Sequence, residues 1–456
     1  WRKPRACGPV VVLSLSSMST LDQRLLQALD PWRNAPAWRV AFSGGLDSTV
    51  LLHALTALAS TEQLPSLSAL HIQHGLQSAA DDWPAHCQRV CAQLGVPLLI
   101  EAVTVDRSVA SLEEAARSAR YAAFERLLAP AEMLLTAQHQ DDQAETLLFR
   151  LLRGAGLKGL AGMPQTRSLG TAMLLRPLLG VSRGELEAYA AQHALSWVED
   201  PTNRNGHYSR NYLRHTVWPV LAQRWPAVTQ TLARSAEHLA EAQALLDELA
   251  QEDLAGSQVD SRWSWLHLPS VEIRALLALS DARQRNALRA FLTPLTALPD
   301  RAHWAGWRDL RDASGDASPL WCLAQGELHR ASGRLWWLSG DWLKPLSGGF
   351  DWSLPGSALQ LPDNGSVSFS GVPPVGPLSV RYRRGGEQMT LESRGRRDLK
   401  RLLNEAQVPG FVRNRLPLLY CADELLAVAN LPALSSAGVS GWEFNWAPPI
   451  GAQGLS

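Results

Sequence analysis

Between Trp38 and about Pro177 the chain alternates short apolar runs with segments whose apolar residues recur every three or four positions. The short runs are bounded by turn residues and predict buried strands at Trp38–Phe42, Leu67–Ile72, Val96–Val103 and Met133–Thr136. The periodic segments between them predict helices at Thr49–Leu58, Ala85–Leu94, Leu112–Leu128 and Asp141–Arg153. This β-α-β-α rhythm predicts an α/β fold with a parallel, doubly wound sheet. Ligands of such sheets bind at the carboxyl ends of the strands.

The rhythm stops after about Pro219. Thr229–Leu254, rich in Ala, Leu and Glu, predicts one long helix. The segments bearing Trp304, Trp307, Trp321, Trp336 and Trp337 complete what reads as a helical domain over 220–345. Pro, Gly and Ser concentrate in 346–376, read as a linker region with short strands, and a small α+β domain is expected at 377–446. The α/β domain takes 18–219. Residues 1–17 place Arg2, Lys3 and Arg5 before a short apolar run and are read as an upstream extension or misplaced start ahead of Met18.

Composition narrows the function classes. The 456 residues carry no net charge, so any nucleic-acid partner must be held by a local patch. The five cysteines, Cys7, Cys87, Cys91, Cys322 and Cys421, are odd in number and contain no C-x-x-C pair. That argues against a disulfide framework or a zinc ribbon and for a reducing, cytoplasmic setting. No apolar stretch approaches the ~20 residues of a membrane span, so no membrane partner is expected.

The first expected strand runs directly into Ser43-Gly44-Gly45-Leu46-Asp47-Ser48, with a helix behind it. Two glycines let the backbone approach an anion, two serines offer hydroxyls, and the helix start offers unpaired N–H groups and a positive dipole end. A carboxylate beside phosphates is repulsive unless a cation intervenes, so Asp47 points to Mg²⁺. The alternative is an ordinary turn in which Asp47 or Ser48 caps the helix. The hexapeptide resembles the PP-loop of the N-type ATP pyrophosphatases. That resemblance implies ATP as cofactor, bound by residues 43–48, with release of pyrophosphate and adenylation of a substrate. Gly154–Gly159 also matches G-x-G-x-x-G, but it follows a helix rather than a strand and fails the dinucleotide-binding context. It reads as a flexible loop whose Arg150, Arg153 and Lys158 can face RNA.

A second constellation, Thr136-Ala137-Gln138-His139-Gln140-Asp141-Asp142-Gln143-Ala144-Glu145-Thr146, opens the helix after the fourth expected strand. Asp141 and Glu145 are one helical turn apart, as are His139 and Asp142. N-capping by Asp141 explains one aspartate but not His139 and Glu145 together. The segment resembles T-A-[HQ]-H-x-D-D-Q-x-E-T of the tRNA(Ile)-lysidine synthases. His71-Ile72-Gln73-His74-Gly75-Leu76 resembles their H-V-[ND]-H-G-L, with Gln73 and Gln77 departing from the usual residues. Either histidine can equally be structural. Further similarities run through Glu113–Tyr121, Arg176-Pro177-Leu178, Glu199–Asn203, Tyr208–Arg214, Val380–Glu387 and Lys400–Pro409.

The resemblance implies a carbon–nitrogen ligase that joins free L-lysine to C2 of the wobble cytidine in isoleucine tRNA with a CAU anticodon. The C2 oxygen is a poor leaving group until AMP is placed on it. The lysine ε-amine, with a pKa of about 10.4, costs roughly 4–5 kcal/mol to deprotonate at pH 7 and needs a base or desolvation. His139, Asp142 and Glu145 are candidates for that work, Asp47 and Glu145 for magnesium, and Asp141 or Asp142 for the lysine ammonium. Arg117 is a candidate for the charge on the α-phosphate. Arg153, Lys158, Arg210 and Arg214 are candidate RNA or substrate contacts.

On the RNA side, 381–415 holds ten basic against four acidic residues. Arg383, Arg384, Arg397, Lys400 and Arg401 are the expected phosphate contacts. The alternatives are another PP-loop tRNA-modifying enzyme such as a thiolase, or a non-catalytic RNA- or nucleotide-binding module. A homodimer is compatible with the sequence.

Overall fold

A computed structural model describes residues 20–73, 82–105, 112–200, 209–255, 262–300, 302–314, 317–346, 348–392, 394–436 and 441–451. The reading of 1–17, residues 74–77 and residues 201–208 of the motif series lie outside them. The chain forms two compact units, Trp1–Ala244 and Leu245–Ser456.

The first unit is built on a six-stranded sheet. Its elements are α1 (Thr20–Leu29), β1 (Ala37–Ala41), α2 (Leu46–Ala59), β2 (Ser66–Gln73), α3 (Trp83–Leu94), β3 (Leu98–Ala102), α4 (Leu112–Leu127), β4 (Met133–Leu135), α5 (Gln140–Leu152), α6 (Leu157–Leu160), β5 (Thr166–Leu169), β6 (Ala172–Leu175) and α7 (Arg183–Gln192). The order across the sheet is β3-β2-β1-β4-β6-β5. All neighbours are parallel except the β5–β6 hairpin. Both faces are covered, which explains why the strands read as unbroken apolar runs. Trp38, Val40, Leu51, Leu55 and Leu186 form the core on one side. Leu70, Phe124, Leu134 and Leu174 form it on the other. The parallel, doubly wound sheet expected from the rhythm is present. The β5–β6 hairpin was not anticipated: at four residues each, its strands are too short to show a period.

From Ser209 the unit continues through α8 (Ser209–Tyr212), a π-helical turn at Leu213–Val217 and α9 (Trp218–Arg224) to α10 (Val228–Ala255), the expected long helix.

In the second unit β7 (Ser270–Glu272), α11 (Ile273–Leu277), α12 (Asp281–Leu292), α13 (Ala305–Asp312), β8 (Leu320–Leu323), β9 (Gly326–Ala331) and β10 (Arg334–Leu338) form an antiparallel sheet of order β7-β10-β9-β8 with its helices. The expectation of a helical domain over 220–345 therefore needs correction. Trp321, Trp336 and Trp337 lie on strands, where bulky aromatic residues fit a pleated, buried surface.

The reading of 346–376 as a linker is also corrected. β11 (Gly349–Asp351), β12 (Leu359–Gln360) and β13 (Ser366–Gly371) are integral to the C-terminal sheets. β11 pairs with β14 (Leu378–Arg381), and β13 pairs along its whole length with the last strand, Trp442–Ala447. Trp352 is buried and stacks on Phe369 at 4.6 Å. The Gly and Pro residues mark the turns of short strands there, not the absence of a core. The remaining elements are β15 (Gln388–Leu391), β16 (Gly395–Asp398), α14 (Leu399–Glu405), α15 (Gly410–Arg413), β17 (Leu418–Cys421), β18 (Glu424–Val428) and β19 (Trp442–Ala447).

Candidate active site

The strand order reverses at the centre of the first sheet: β2 lies on one side of β1 and β4 on the other. A crevice at such a switch point is where doubly wound sheets bind ligands. The loop after β1 and the loop after β4 both open there, and these carry the two constellations picked out in the sequence.

After β1 the chain turns at Gly44, whose φ of +81° is left-handed. A Cβ there would lie 3.0 Å from Cys87 Sγ and 3.3 Å from a Val198 methyl, a tight fit that adds to the conformational demand for glycine. Val198 N–H donates to Gly44 O at 2.9 Å and backs the loop. Gly45 is the N-cap of α2 and makes no side-chain cap. The alternative reading of Asp47 or Ser48 as cap therefore fails, since both lie in the first turn. Ser43 Oγ sits 3.0 Å from Ser48 Oγ, and Ser48 Oγ donates to Gly45 O at 3.0 Å. The result is a glycine turn, two hydroxyls and a helix start converging on one point, a geometry suited to phosphate.

After β4, His139 rather than Asp141 caps α5. Its Nδ1 accepts from Asp141 N–H at 3.3 Å, while Asp142 Oδ2 accepts from His139 N–H at 3.2 Å. This reciprocal box fixes the imidazole. His139 Nε2 then lies 3.7 Å from Asp47 Oδ2 and 3.5 Å from Asp142 Oδ2. The buried ring joins the two constellations. Burial opposes its charged form, but the carboxylates of Asp141 and Asp47, with Asp142 beside them, outweigh burial and push its pKa up to about 10. An imidazolium cannot accept the Asp141 N–H bond, so the cap geometry belongs to the neutral ring. The carboxylates favour the charged one as long as no other cation neutralises them.

Asp141 is held in turn. Its Oδ2 accepts from Arg183 N–H, at the start of α7, at 2.9 Å. Burial would raise its pKa, but the bonds to His139 and Arg183 hold it below the usual range. Glu145 is gripped on both oxygens by Arg214, Nε to Oε1 at 2.7 Å and Nη2 to Oε2 at 2.8 Å. Arg214 Nη2 also reaches Asp142 Oδ1 at 3.3 Å. Two expectations change accordingly. Glu145, expected at magnesium, has both oxygens engaged here, and Arg214, expected at RNA or substrate, is its partner and also reaches Asp142.

Asp47 suits a cation better. Its Oδ1 is buried and has no hydrogen-bond partner. Among the described residues no group of three His, Cys, Asp or Glu side chains could hold a metal by itself. One carboxylate completed by substrate phosphate oxygens is how magnesium is ordinarily bound. Among the described residues, the ion pairs of Asp47, Asp141, Asp142 and Glu145 are to Arg214 and His139. The pocket is therefore rich in negative charge and favours cationic ligands.

Arg117 lies apart from this cluster. Its guanidinium covers the Tyr121 ring at 4.9 Å and its Nη2 reaches the phenol oxygen at 3.5 Å. Arg167 covers the same ring at 4.5 Å. The buried Arg176 is close enough to Tyr121 to bond its hydroxyl and leaves Nε without a partner. Burial pushes the Tyr121 phenol up, but Arg117, Arg176, Arg167 and Arg120 together pull it below its ordinary value. Sequence reasoning quoted Arg120, Tyr121 and Arg176 only as motif letters and missed Arg167. The density of arginines without acids in R-x-x-R-Y and R-P-L was the available signal.

The segment after α5 is not the flexible loop expected. Arg150 Nη1 donates to Gly159 O and Gly162 O at 2.7 and 2.8 Å, and Gln143 exchanges two hydrogen bonds with Met163. Lys158 is exposed on α6, Arg153 lies over Phe149 at 5.2 Å, and Arg210 is exposed on α8. His71 is structural: buried at the end of β2, it donates from Nδ1 to Phe42 O at 2.9 Å.

In the second unit the basic stretch is thinner than its letters suggest. Arg415 is buried and spends itself on Trp342, Lys344, Asp341 and Asp363 carbonyls and on Asn364. Arg394 and Arg401 share Glu405. Arg384, Arg397 and Lys400 are exposed, and Arg383 is half-buried beside Glu387.

A phosphate loop facing an acid–histidine cluster across the switch point defines a PP-loop, ATP-using α/β domain. Comparison with known proteins agrees. Residues 17–221 match the PP-loop domain model, 272–336 the TilS substrate binding domain and 378–446 the TilS substrate C-terminal domain. The tRNA(Ile)-lysidine synthase of Pseudomonas fluorescens (strain Pf0-1) is 61% identical over 95% of this chain and 98% of its own. That of Pseudomonas aeruginosa is 60% identical over 96% and 99%, and that of Coxiella burnetii 40% over 93% and 95%. The chain belongs to the tRNA(Ile)-lysidine synthase family.

Proposed function

We propose that this protein joins free lysine to the wobble cytidine of isoleucine tRNA bearing a CAU anticodon, consuming ATP and releasing AMP and pyrophosphate. The observation that carries the reading is the meeting of Asp47 and His139 at the switch point, which puts the phosphate loop and the acid cluster in one site. In the first step the cytosine C2 oxygen attacks the α-phosphorus of ATP and pyrophosphate leaves. In the second the lysine ε-amine attacks C2, and the C2–O bond breaks with AMP as leaving group.

The chain's own groups divide this work. Ser43, Gly44, Gly45, Leu46 and Ser48 cradle the phosphates. Asp47 would hold magnesium, which would neutralise charge between the carboxylate and the phosphates. Asp141 and Asp142 give the lysine ammonium an anionic seat, and His139, neutral once bound cations offset the carboxylates around it, takes the proton the amine must lose. Arg117 and Arg167 over the Tyr121 ring, with the buried Arg176 beside it, offer an RNA phosphate or a developing negative charge a concentration of positive charge. A thiolase reading is disfavoured because the buried Cys87 and Cys91 have pKa values pushed up to about 12 and about 11, Cys87 by burial and neighbouring Cys91, and Cys91 by burial. Among the described residues no helix is long and apolar enough to cross a membrane, and a cytoplasmic site of action fits the unpaired thiols.

The test is incubation with ATP, Mg²⁺, labelled lysine and this tRNA, following acid-precipitable label and pyrophosphate together. Incorporation that needs ATP and disappears when the wobble cytidine is changed is the expected result. Pyrophosphate release without incorporation would redirect the reading to another nucleophile, and neither signal would favour a binding module.

A further inference from the structure

The second unit contains a cleft of about 590 Å³, within the roughly 300–1,000 Å³ typical of small-molecule sites. Its wall is aromatic. Trp342 and Phe411 lie edge to face at 6.0 Å, and His329 lies 5.6 Å from Phe411. Trp342 is buried and pinned by its Nε1 bond to Pro449 O at 2.8 Å, whereas Phe411 is only half-buried. The rim is cationic, with Arg383, Arg384 and Lys344 all lining it.

These cations are unequally satisfied. Lys344 pairs with Asp341 and Asp363 at 2.7 Å each. Arg384 is exposed and its side chain has no hydrogen-bond or ionic partner among the described residues. Arg383 Nε is buried without a hydrogen-bond partner, 3.6 Å from Glu387 Oε2, which is equally unpartnered. Glu387 spends its other oxygen on Arg384 N–H and Gly385 N–H at 2.5 and 2.8 Å. One lining carboxylate, Glu327, is bonded to His329 at 2.8 Å.

The geometry points to a binding site for one unpaired nucleotide of the RNA substrate, with its base against Phe411 and its phosphate at Arg383 and Arg384. An aromatic wall with a guanidinium rim suits a base whose face is uncovered, and a base inside a duplex has no such face. This rests on the RNA-substrate reading above and adds to it a second, non-catalytic contact with defined chemistry.

The test uses the full chain, with fluorescence anisotropy on a labelled four-nucleotide single-stranded RNA and on a blunt-ended RNA duplex of two complementary strands. The tetramer is expected to bind more tightly than the duplex. Phe411→Leu should weaken it roughly five- to hundredfold with the salt dependence unchanged. Arg384→Gln, at an exposed position that cannot unfold the chain, should weaken it and lower the slope against log salt by about one. Equal affinity for duplex and tetramer, or wild-type tetramer binding in Arg384→Gln, overturns the proposal. Lysine incorporation is measured on the same preparation. Incorporation with tetramer binding unchanged in the variants removes the cleft alone. Loss of tetramer binding in the variants, without any incorporation by the parent chain, removes the catalytic reading and leaves the cleft standing.

Discussion

Arg214 holds both carboxylate oxygens of Glu145, at 2.7 and 2.8 Å, and reaches across to Asp142 at 3.3 Å. A planar fork is the one side chain that can do this, since lysine would offer a single point of charge. The contact ties α5 to the π-helical turn at Leu213–Val217 and keeps two acids from repelling each other beside Asp47. The pair is partly exposed, so its net worth is modest, but leaving Glu145 unpaired is costly.

Arg214→Ala is therefore expected to destabilise the protein by about 1–3 kcal/mol and to slow pyrophosphate release. In a double-mutant cycle with Glu145→Ala the two effects should be non-additive by about 1 kcal/mol in denaturant unfolding. Strict additivity would mean that the clamp does no energetic work.

Asp47→Asn tests the cation seat. Asp47 Oδ1 has no partner to lose, and the 3.7 Å approach of Oδ2 to His139 is lost while repulsion from the neighbouring carboxylates is relieved, so melting temperature should change little. Pyrophosphate release should fall by roughly 10²–10³ and the magnesium concentration for half-maximal rate should increase. A stable variant with wild-type magnesium dependence would move the metal elsewhere.

How much of this was legible in the sequence depended on range. Strands β1 to β4 and the two loops could be read because each is a local pattern, an apolar run or a hexapeptide between a strand and a helix. The Glu145–Arg214 clamp was hidden because pairing between a residue on α5 and one after α8 has no local signature. Both letters were seen, yet each was given a ligand instead of the other. His139 was misjudged in a smaller way: aspartate is the commoner cap, and nothing local showed that the imidazole would take that place. Arg415 was counted as surface charge because burial is a property of the packed C-terminal sheets, not of a run of arginines.

The cysteines give a chemical check. Burial, reinforced by its neighbour Cys91, pushes Cys87 up to about 12, and burial pushes Cys91 up to about 11. At pH 8 only about 10⁻³ to 10⁻⁴ of either would be thiolate, the reactive form. Peptide mapping after brief iodoacetamide treatment should find Cys322, which is exposed, modified while Cys87 and Cys91 are not. Denaturant should make all three react. Early labelling of Cys87 would mean that the wall behind Gly44 opens.

His71 sets a direction for acid stability. Burial lowers its pKa from 6.5, outweighing the Phe42 carbonyl, and His53 and His86 are lowered too. Below about pH 6.5 the unfolded chain binds protons that the native chain refuses, so stability falls as pH falls. Each such group adds at most ~1.4 kcal/mol per pH unit. His139, with its pKa raised to about 10, acts in the opposite sense, chiefly above 6.5, and is common to parent and variant, so it cancels in their comparison. His71→Asn, whose amide can still donate to Phe42 O, should flatten the slope between pH 5.5 and 6.5 in denaturant titrations. An unchanged slope would assign the proton uptake to His53 and His86.

Arg415 separates folding from RNA binding within one basic stretch. Its guanidinium satisfies four backbone carbonyls and the Asn364 amide oxygen, and with Asn364 it holds Asp341–Lys344 against β17 and its neighbours. Arg415→Leu keeps the packing volume but strands those carbonyls in a buried place. The expected loss is about 3–5 kcal/mol of stability, visible as an early melting transition, with RNA affinity reduced only in proportion to the unfolded fraction. Arg384→Gln should behave in the reverse way, with unchanged melting and weaker, less salt-sensitive RNA binding. If Arg415→Leu melted like the parent and lost RNA at low salt, the guanidinium would have to face the nucleic acid, and its hydrogen bonds to the carbonyls would not be what keeps it in the core.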